Sequence, residues 1–466
     1  MTSTPHWWGA GLLENEDPAA VFARIEGAVT FGELARRVGE HARRFASAGI
    51  GAGRSVALCL PPSFTLIEVL LALWSEGATV VLVDSRHTAS ELARLLELSR
   101  PQTLVTAPAA AIGSASTDEC RVDMVELPDG RPATGKHCLI QFSSGSTGTP
   151  KMIGRSSRSL LAELAKYAAL PGMPGVGEKV LVLNSPVHTM GLVGGILHGL
   201  NVGAESVLPT GHGLGTLLRG PQAVGIQAIL GVPMHFDVIS RTSAVQLPAL
   251  RLAVSAGELM RDELWSRFHE RFAIPISPVY GTTETGILTA DLVTACPPPS
   301  VGKVLPENRV KVENDEVQVY VGESPYLGPG ADDRVRDGWL RTFDRGAFTA
   351  DGRLALYGRS DSLAVIGGLK VDLREVEALV SRHPGVADAV VVHDSSIKAY
   401  VRSQADRVAV ADLIAWCREH LSGFKIPSTF IICDTLPRTV SGKVVRDPDA
   451  LRQHAEAHRF AGEAVR

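Results

Sequence analysis

At 466 residues the chain is long enough for two or three domains, and 45% hydrophobic with 21% charged residues suits large buried cores. The 46 Lys+Arg against 50 Asp+Glu leave a formal net charge of −4 with no basic run, which argues against nucleic acid or an anionic membrane as a partner. Six scattered cysteines form no Cys-x-x-Cys pair, so neither a zinc site nor a disulfide framework is expected, and a cytoplasmic, reducing setting is.

The N-terminus lacks a basic flank followed by an apolar core, so no signal peptide is expected. Thr30-Phe-Gly-Glu33 reads as a capping box ahead of a helix with Leu34, Val38 and Phe45 on one face. Ser55 to Leu60 predicts a buried strand, ended by Pro61 and Pro62. Phe64 to Glu76 predicts a core helix; its apolar run is too short to span a bilayer and is interrupted by Glu68. A strand at Thr79 to Val83, a helix marked by Leu92, Leu95 and Leu96, and a strand at Thr103 to Val105 follow. This alternation is that of parallel βαβ units. Residues 107–136, rich in Ala, Ser, Pro and Gly, read as loop.

A β-rich run, His137 to Phe142, then enters Phe142-Ser-Ser-Gly-Ser-Thr-Gly-Thr-Pro-Lys151. Glycines let backbone N–H groups converge on an anion, hydroxyls add donors and Lys151 adds a mobile charge. That is the inventory of a polyphosphate cradle, although no Gly-Lys-Ser/Thr closes it as in a P-loop. A flexible Ser/Gly linker has the same composition.

Beyond it, Leu160 to Tyr167 reads as helix, Val180 to Leu183 as strand, and Gly191 to Leu200 as a tightly packed small-residue helix. Strands at Ile226 to Leu230, Leu252 to Val254 and Ile276 to Tyr280 predict a second sheet, or a second half of the first. From Cys296 short strands and Gly/Pro turns indicate a β-rich unit, about 297–357. Gly358-Arg-Ser-Asp361 reads as a junction to a compact α+β piece. There Asp372 caps a helix, strands run at Ala387 to His393, Ile397 to Val401 and Thr429 to Cys433, and a helix lies around Leu413 to Leu421. The polar tail 447–466 is expected to fray.

Five stretches occur in one order: Ser143 to Lys151; Tyr280-Gly-Thr-Thr-Glu-Thr-Gly286; Gly338-Trp-Leu-Arg-Thr-Phe-Asp344; Tyr357-Gly-Arg-Ser-Asp361 with Gly367-Gly-Leu-Lys370; and Leu436-Pro-Arg-Thr-Val-Ser-Gly-Lys443. Together they resemble the adenylate-forming superfamily of acyl- and aryl-CoA ligases, adenylation domains and luciferase, from about Thr30 to Lys443. The resemblance implies an α/β fold. A large N-terminal ATP- and acid-binding domain, 1–359, would contain parallel αβαβα-type layers and the β-rich unit. A small mobile α+β lid, 360–466, would follow.

It also implies a reaction: ATP and a carboxylic acid give an acyl adenylate and pyrophosphate, and the acyl group passes to a pantetheine thiol of CoA or of a separate acyl carrier protein. Mg²⁺ would accompany ATP. By the same resemblance, Ser143, Ser144, Gly145, Ser146, Thr147, Gly148 and Lys151 hold the β/γ-phosphates. Thr283 donates to the α-phosphate, Glu284 binds Mg²⁺, and Tyr280, Gly281 and Thr282 line the nucleotide. Gly257 and Glu258 lie along the adenine edge, although Glu258 also suits the first turn of a helix. Asp344 accepts from the ribose hydroxyls and Arg359 reaches the same ribose. The family usually has Gly at the position of Phe343. Lys443 bridges the acid and the α-phosphate, reducing repulsion between two anions. Asp361 matches the hinge, and Gly367, Gly368 and Lys370 the thiol tunnel.

By position in the same resemblance, His188, Thr189, Met190, Val193, Val279, Ile287 and Leu288 are the expected acid-pocket wall, with His235 and Phe236 as further contributors, although His188 also suits a packed core histidine. No acid follows His188 before Glu205, so a substrate ammonium would lack a partner. An α-amino acid is therefore disfavoured, and Ser255-Ala-Gly-Glu258, which resembles aryl-acid activators more than long-chain ones, implies an aryl or short unsaturated acid. Two other readings stand beside this one. One is adenylate chemistry on another oxyanion, or chemistry that stops at the adenylate. The other is a nucleotide-binding regulator on an inactive scaffold, against which the presence of Lys443, Glu284 and Asp344 argues.

Overall fold

A computed structural model describes residues 7–108, 117–133, 135–143, 150–209, 214–243, 245–328, 334–359, 363–366, 369–394, 396–404, 408–421, 423–439 and 442–457. Two seven-stranded sheets dominate the first part of the chain. The first runs, in spatial order, Tyr326–Leu327, Lys151–Ser156, His137–Ser143, Thr79–Leu82, Ser55–Cys59, Thr103–Thr106 and Asp123–Glu126. Its four central strands are parallel and its edges antiparallel. The second runs Ile276–Pro278, Leu252–Ser255, Ile226–Gly231, Lys179–Val182, Glu205–Val207, Val21–Arg24 and Ala28–Thr30, and only the last pair is antiparallel.

Strand alternation explains the layering. Val56 and Leu58 face one core, shared with Val180, Val182, Ala228 and Leu230 of the other sheet, while Ala57 and Cys59 face a second core with Leu95. Between the sheets lies the helix Phe64–Ser75, capped by the Ser63 side chain on Leu66 N and buried from Phe64 to Trp74. A Leu→Ala change there would cost roughly 2–5 kcal/mol. Glu68, within that run, is buried and ion-paired with Arg37 at 3.3 Å. The helices Pro233–Arg241 and Asp262–Phe272 cover the outer face of the second sheet through Phe236, Ile239 and Phe268. The resulting order of layers is the predicted αβαβα.

An eight-stranded antiparallel sheet follows, and it begins earlier than the sequence suggested: Tyr280–Thr282 and Gly286–Ala290 belong to it. The C-terminal part carries the hairpin Leu363–Ile366 with Leu369–Asp372, which went unpredicted. It also carries the three-stranded sheet Val386–Asp394, Ser396–Ser403 and Thr429–Cys433.

Three further expectations are corrected, and that of a tightly packed small-residue helix is refined in helix type. Thr30 caps Glu33 N, but the Glu33 carboxylate pairs with Arg37, so the reciprocal half of the box is replaced by an i,i+4 ion pair. Residues 123–126 form a strand, because Thr103–Thr106 leaves an edge to be paired. The small-residue stretch forms a π-helix, Met190–Leu197, whose glycines sit where side chains would collide with Ser185, Tyr167 and Val182. The first part of the tail is the helix Pro448–Ala457, held by buried Leu451 and Ala455. Among the described residues no helix is long and apolar enough to cross a membrane.

Candidate active site

The site begins with the tight turn between Tyr280–Thr282 and Gly286–Ala290. A side chain at Gly281 would collide with the Gly286 carbonyl, and Gly286 sits at φ +70° where a side chain would collide with Glu163. Glycine at both positions therefore lets the turn close and carry Thr283 and Glu284 at its tip. Glu284 accepts a hydrogen bond from the Tyr326 hydroxyl at 2.8 Å. Burial, with Glu284 beside it, pushes that phenol above its ordinary range. Lys151 Nζ lies 5.5 Å from the centre of the same ring, and Arg334 donates to the Tyr326 oxygen at 3.4 Å. Lys151 opens a strand that pairs with Tyr326–Leu327. Tyr326 and Arg334 thus join two predicted site residues. Neither lay in a motif, and no local signal marked them.

A second group forms where Trp339–Phe348 pairs with Arg353–Arg359, with Asp344 opposite Arg359. Asp344 accepts from the Tyr280 hydroxyl at 2.6 Å and from Arg359 Nη1 at 3.3 Å. Tyr280 is only 8% exposed, so its hydroxyl is committed to Asp344 and little of its ring face is open. Phe343 takes φ +63°, the left-handed conformation that suits glycine. Arg334 and Arg341 lie over its ring at 4.7 and 5.0 Å.

The third group brings in the C-terminal part. Lys443 Cε would stand 3.8 Å from a β-carbon at Gly257, and Met234 touches the space beside Gly442. The Lys443 loop is internally bonded: Lys443 N donates to Thr439 Oγ1 at 3.2 Å, and Arg438 Nη1 donates to the Gly442 carbonyl at 2.9 Å. Glu258 faces the same cleft. Its side chain is exposed, yet desolvation by the surrounding protein raises its carboxyl pKa, and Lys443, Arg438, Arg446 and Arg374 oppose that rise. Glu258 precedes the helix Asp262–Phe272, so it is not in a first helical turn.

His188 stands 3.8 Å from buried Asp84, which Arg86 holds through two hydrogen bonds at 2.7 and 3.0 Å. The surrounding protein depresses the imidazole pKa to about 4, so the ring is neutral at pH 7. The spacing argument missed Asp84, which arrives from a different sheet and is already engaged by Arg86. Thr189 Oγ1 donates to Gln141 Oε1 at 3.3 Å, and Met190 Sδ accepts from Tyr167 at 3.5 Å.

Val193, Val279 and Ile287 share one apolar core, with Met190 against it. Leu288 does not join them: it faces the core of the eight-stranded sheet, because adjacent strand residues point to opposite faces. Phe236 is likewise turned into the outer core against Phe268. His235 instead accepts from Val232 N at 3.1 Å.

Ser143 ends its strand, paired with Lys151. Ser144, Gly145, Ser146, Thr147, Gly148, Asp361, Gly367 and Gly368 lie outside the described residues. The backbone of Lys370 pairs with Val365.

The family model described as AMP-binding enzyme matches residues 13–328, and the one described as AMP-binding enzyme C-terminal domain matches residues 375–443. Chalcone synthase cfoA of Aspergillus candidus is 29% identical over 90% of this chain but only 18% of its own length. The chain thus spans under a fifth of that relative. Sulfoacetate–CoA ligase of Cupriavidus necator is 29% identical over 90% of this chain and 91% of its own. Among solved structures, ATP-bound MatB from Rhodopseudomonas palustris matches with TM-score 0.79 and 19% identity, covering 97% of this chain and 100% of that one. Its apo form matches with TM-score 0.68.

Proposed function

We propose, because this chain belongs to the AMP-binding enzyme family, that it activates a small carboxylic acid with ATP and passes the acyl group to a pantetheine thiol. In the first step a carboxylate oxygen attacks the α-phosphorus of ATP, the α–β phosphoanhydride bond breaks, and pyrophosphate leaves. In the second a thiolate attacks the acyl carbon and AMP leaves. The observation that carries this reading is the approach of Lys443 to Gly257, in the cleft that Glu258 and His188 also face. A cation there lets two anions meet.

Each residue group has a task in this reading. Asp344 and Arg359 hold the ribose, and Tyr280 orients Asp344. Thr283 and Lys151 contact phosphates together with the Ser143–Lys151 loop. The donor set suits Mg²⁺: Glu284 is a half-buried carboxylate steadied by Tyr326. One carboxylate completed by nucleotide phosphates is how this ion is commonly held. Glu284 would bind it, and the ion would neutralise phosphate charge. Thr189, Met190, Val193, Val279 and Ile287 wall the acid, with neutral His188 at the mouth. Apolar walls and an Asp84 already paired to Arg86 favour an aryl or short unsaturated acid over an α-amino acid. Residues 360–466 act as a lid turning about Asp361, and Gly367, Gly368 and Lys370 line the thiol path. The acceptor is CoA or a carrier protein.

The test is pyrophosphate exchange over a panel of aryl, enoyl and amino acids, followed by thioester formation with CoA or carrier protein. Exchange dependent on one non-amino acid and Mg²⁺ is expected. ATP binding without exchange for any acid would overturn the reading.

A further inference from the structure

Behind the turn that carries Thr283 and Glu284 lies an ion pair sealed from solvent. Arg155 Nη2 and Glu163 Oε2 are 2.6 Å apart, with 4% and 2% of their side chains exposed. Glu163 Oε1 accepts from Ile287 N at 3.1 Å. That backbone donor falls where the register shifts between the Tyr280–Thr289 and Gly281–Ile287 pairs, so the carboxylate satisfies an N–H at the irregularity. The same carboxylate fills the space a side chain at Gly286 would need.

Arg155 is fastened in turn: its Nε donates to Ser159 Oγ at 3.2 Å. It lies on the Lys151–Ser156 strand, four residues beyond Lys151, or roughly 13 Å along an extended backbone. A buried ion pair is weak evidence for stability, because apolar replacements of similar size often serve as well. This pair joins three separate elements: the strand begun by Lys151, the helix Ser157–Ala169, and the turn of Thr283 and Glu284.

We propose that Arg155 and Glu163 are positioning residues that hold the Thr283–Glu284 turn in register with Lys151, so that phosphate and metal ligands converge. The proposal rests on the reading above that these residues face ATP and Mg²⁺. Neither member of the pair touches substrate. Disturbing the pair should displace Glu284 relative to Lys151 and weaken the part of ATP binding that depends on the ion.

The experiment compares equilibrium ATP binding with Mg²⁺ and with EDTA in the full chain, alongside a thermal melt. The variants are Arg155→Met with Glu163→Met, and separately Glu163→Gln. The double variant should fold with a somewhat lower melting temperature, since Ile287 N loses its acceptor, while the gain in ATP affinity from Mg²⁺ falls at least about tenfold. A folded double variant with the parent's Mg²⁺ gain would overturn the proposal. If the double variant does not fold, Glu163→Gln decides: a reduced Mg²⁺ gain supports the proposal and an unchanged one overturns it. A parent that binds Mg·ATP but shows no exchange with any acid sinks the proposed reaction and leaves this comparison intact. A parent that binds no ATP sinks both.

Discussion

The Tyr280 hydroxyl donates to the Asp344 carboxylate across 2.6 Å, joining residues 64 positions apart. Removing only that hydroxyl, in Tyr280→Phe, keeps the packing around Leu288 and Val301 but frees one oxygen of Asp344 to move. A hydrogen bond to a charged group is worth about 1.5–3 kcal/mol, so the apparent KM for ATP in pyrophosphate exchange should rise roughly tenfold or more. An unchanged KM would show that Asp344 is held by Arg359 alone, or does not meet the nucleotide.

Phe343 offers a test of backbone strain. A non-glycine residue in the left-handed region costs roughly 1–2 kcal/mol. The two guanidinium groups over its ring return about 0.5–1 kcal/mol each. Phe343→Gly should therefore change unfolding free energy by less than about 1 kcal/mol, whereas β-branched Phe343→Ile should lose about 2 kcal/mol or more. Chemical denaturation of both variants checks this, and an isoleucine variant as stable as the parent would refute the strain argument.

Lys443→Ala should cut pyrophosphate exchange by about a hundredfold or more, because the charge acts where two anions meet. ATP affinity should change by less than about threefold, since Asp344, Arg359 and the phosphate loop remain. Loss of both in equal measure would mean that Lys443 serves ground-state binding only.

The histidines set a pH dependence. His188 and His235 have pKa values pushed down to about 4 in the folded chain, mainly by burial. Unfolded, each titrates near 6.5. Between these values the unfolded chain binds protons that the folded chain refuses. Stability is thus full above about pH 6.5 and falls as pH drops toward 4. Because the His188 side chain keeps 39% of its surface exposed, solvent screening should moderate its share. Denaturation midpoints measured from pH 7 to 4 should fall, and His188→Asn should flatten the slope. An identical slope in that variant would remove His188 from the account.

Much of the architecture follows from patterns within single elements. Strand and helix runs alternating from Ser55 to Val105 marked parallel βαβ units, so the layered α/β arrangement was legible, while the structure shows Val56 and Leu58 on one core and Ala57 and Cys59 on the other. Motif order was legible for the same reason: each motif is a short run whose glycines, hydroxyls and charges carry their own local geometry. Gly281 and Gly286 came with the Tyr280–Gly286 motif, and the structure shows that the tight turn there needs them.

What only the tertiary structure decided are the meetings between distant runs. Tyr326 reaches Glu284 across 42 positions, Glu163 reaches Ile287 N across 124, and Asp84 comes to His188 from the other sheet. Leu288 was misassigned for a related reason: its apolar character suited either side of its strand, and only the neighbouring strands show which core it faces. Periodicity tells a residue which face it shares, but the partner on the far side depends on how sheets and helices stack, and no local rule carries that information.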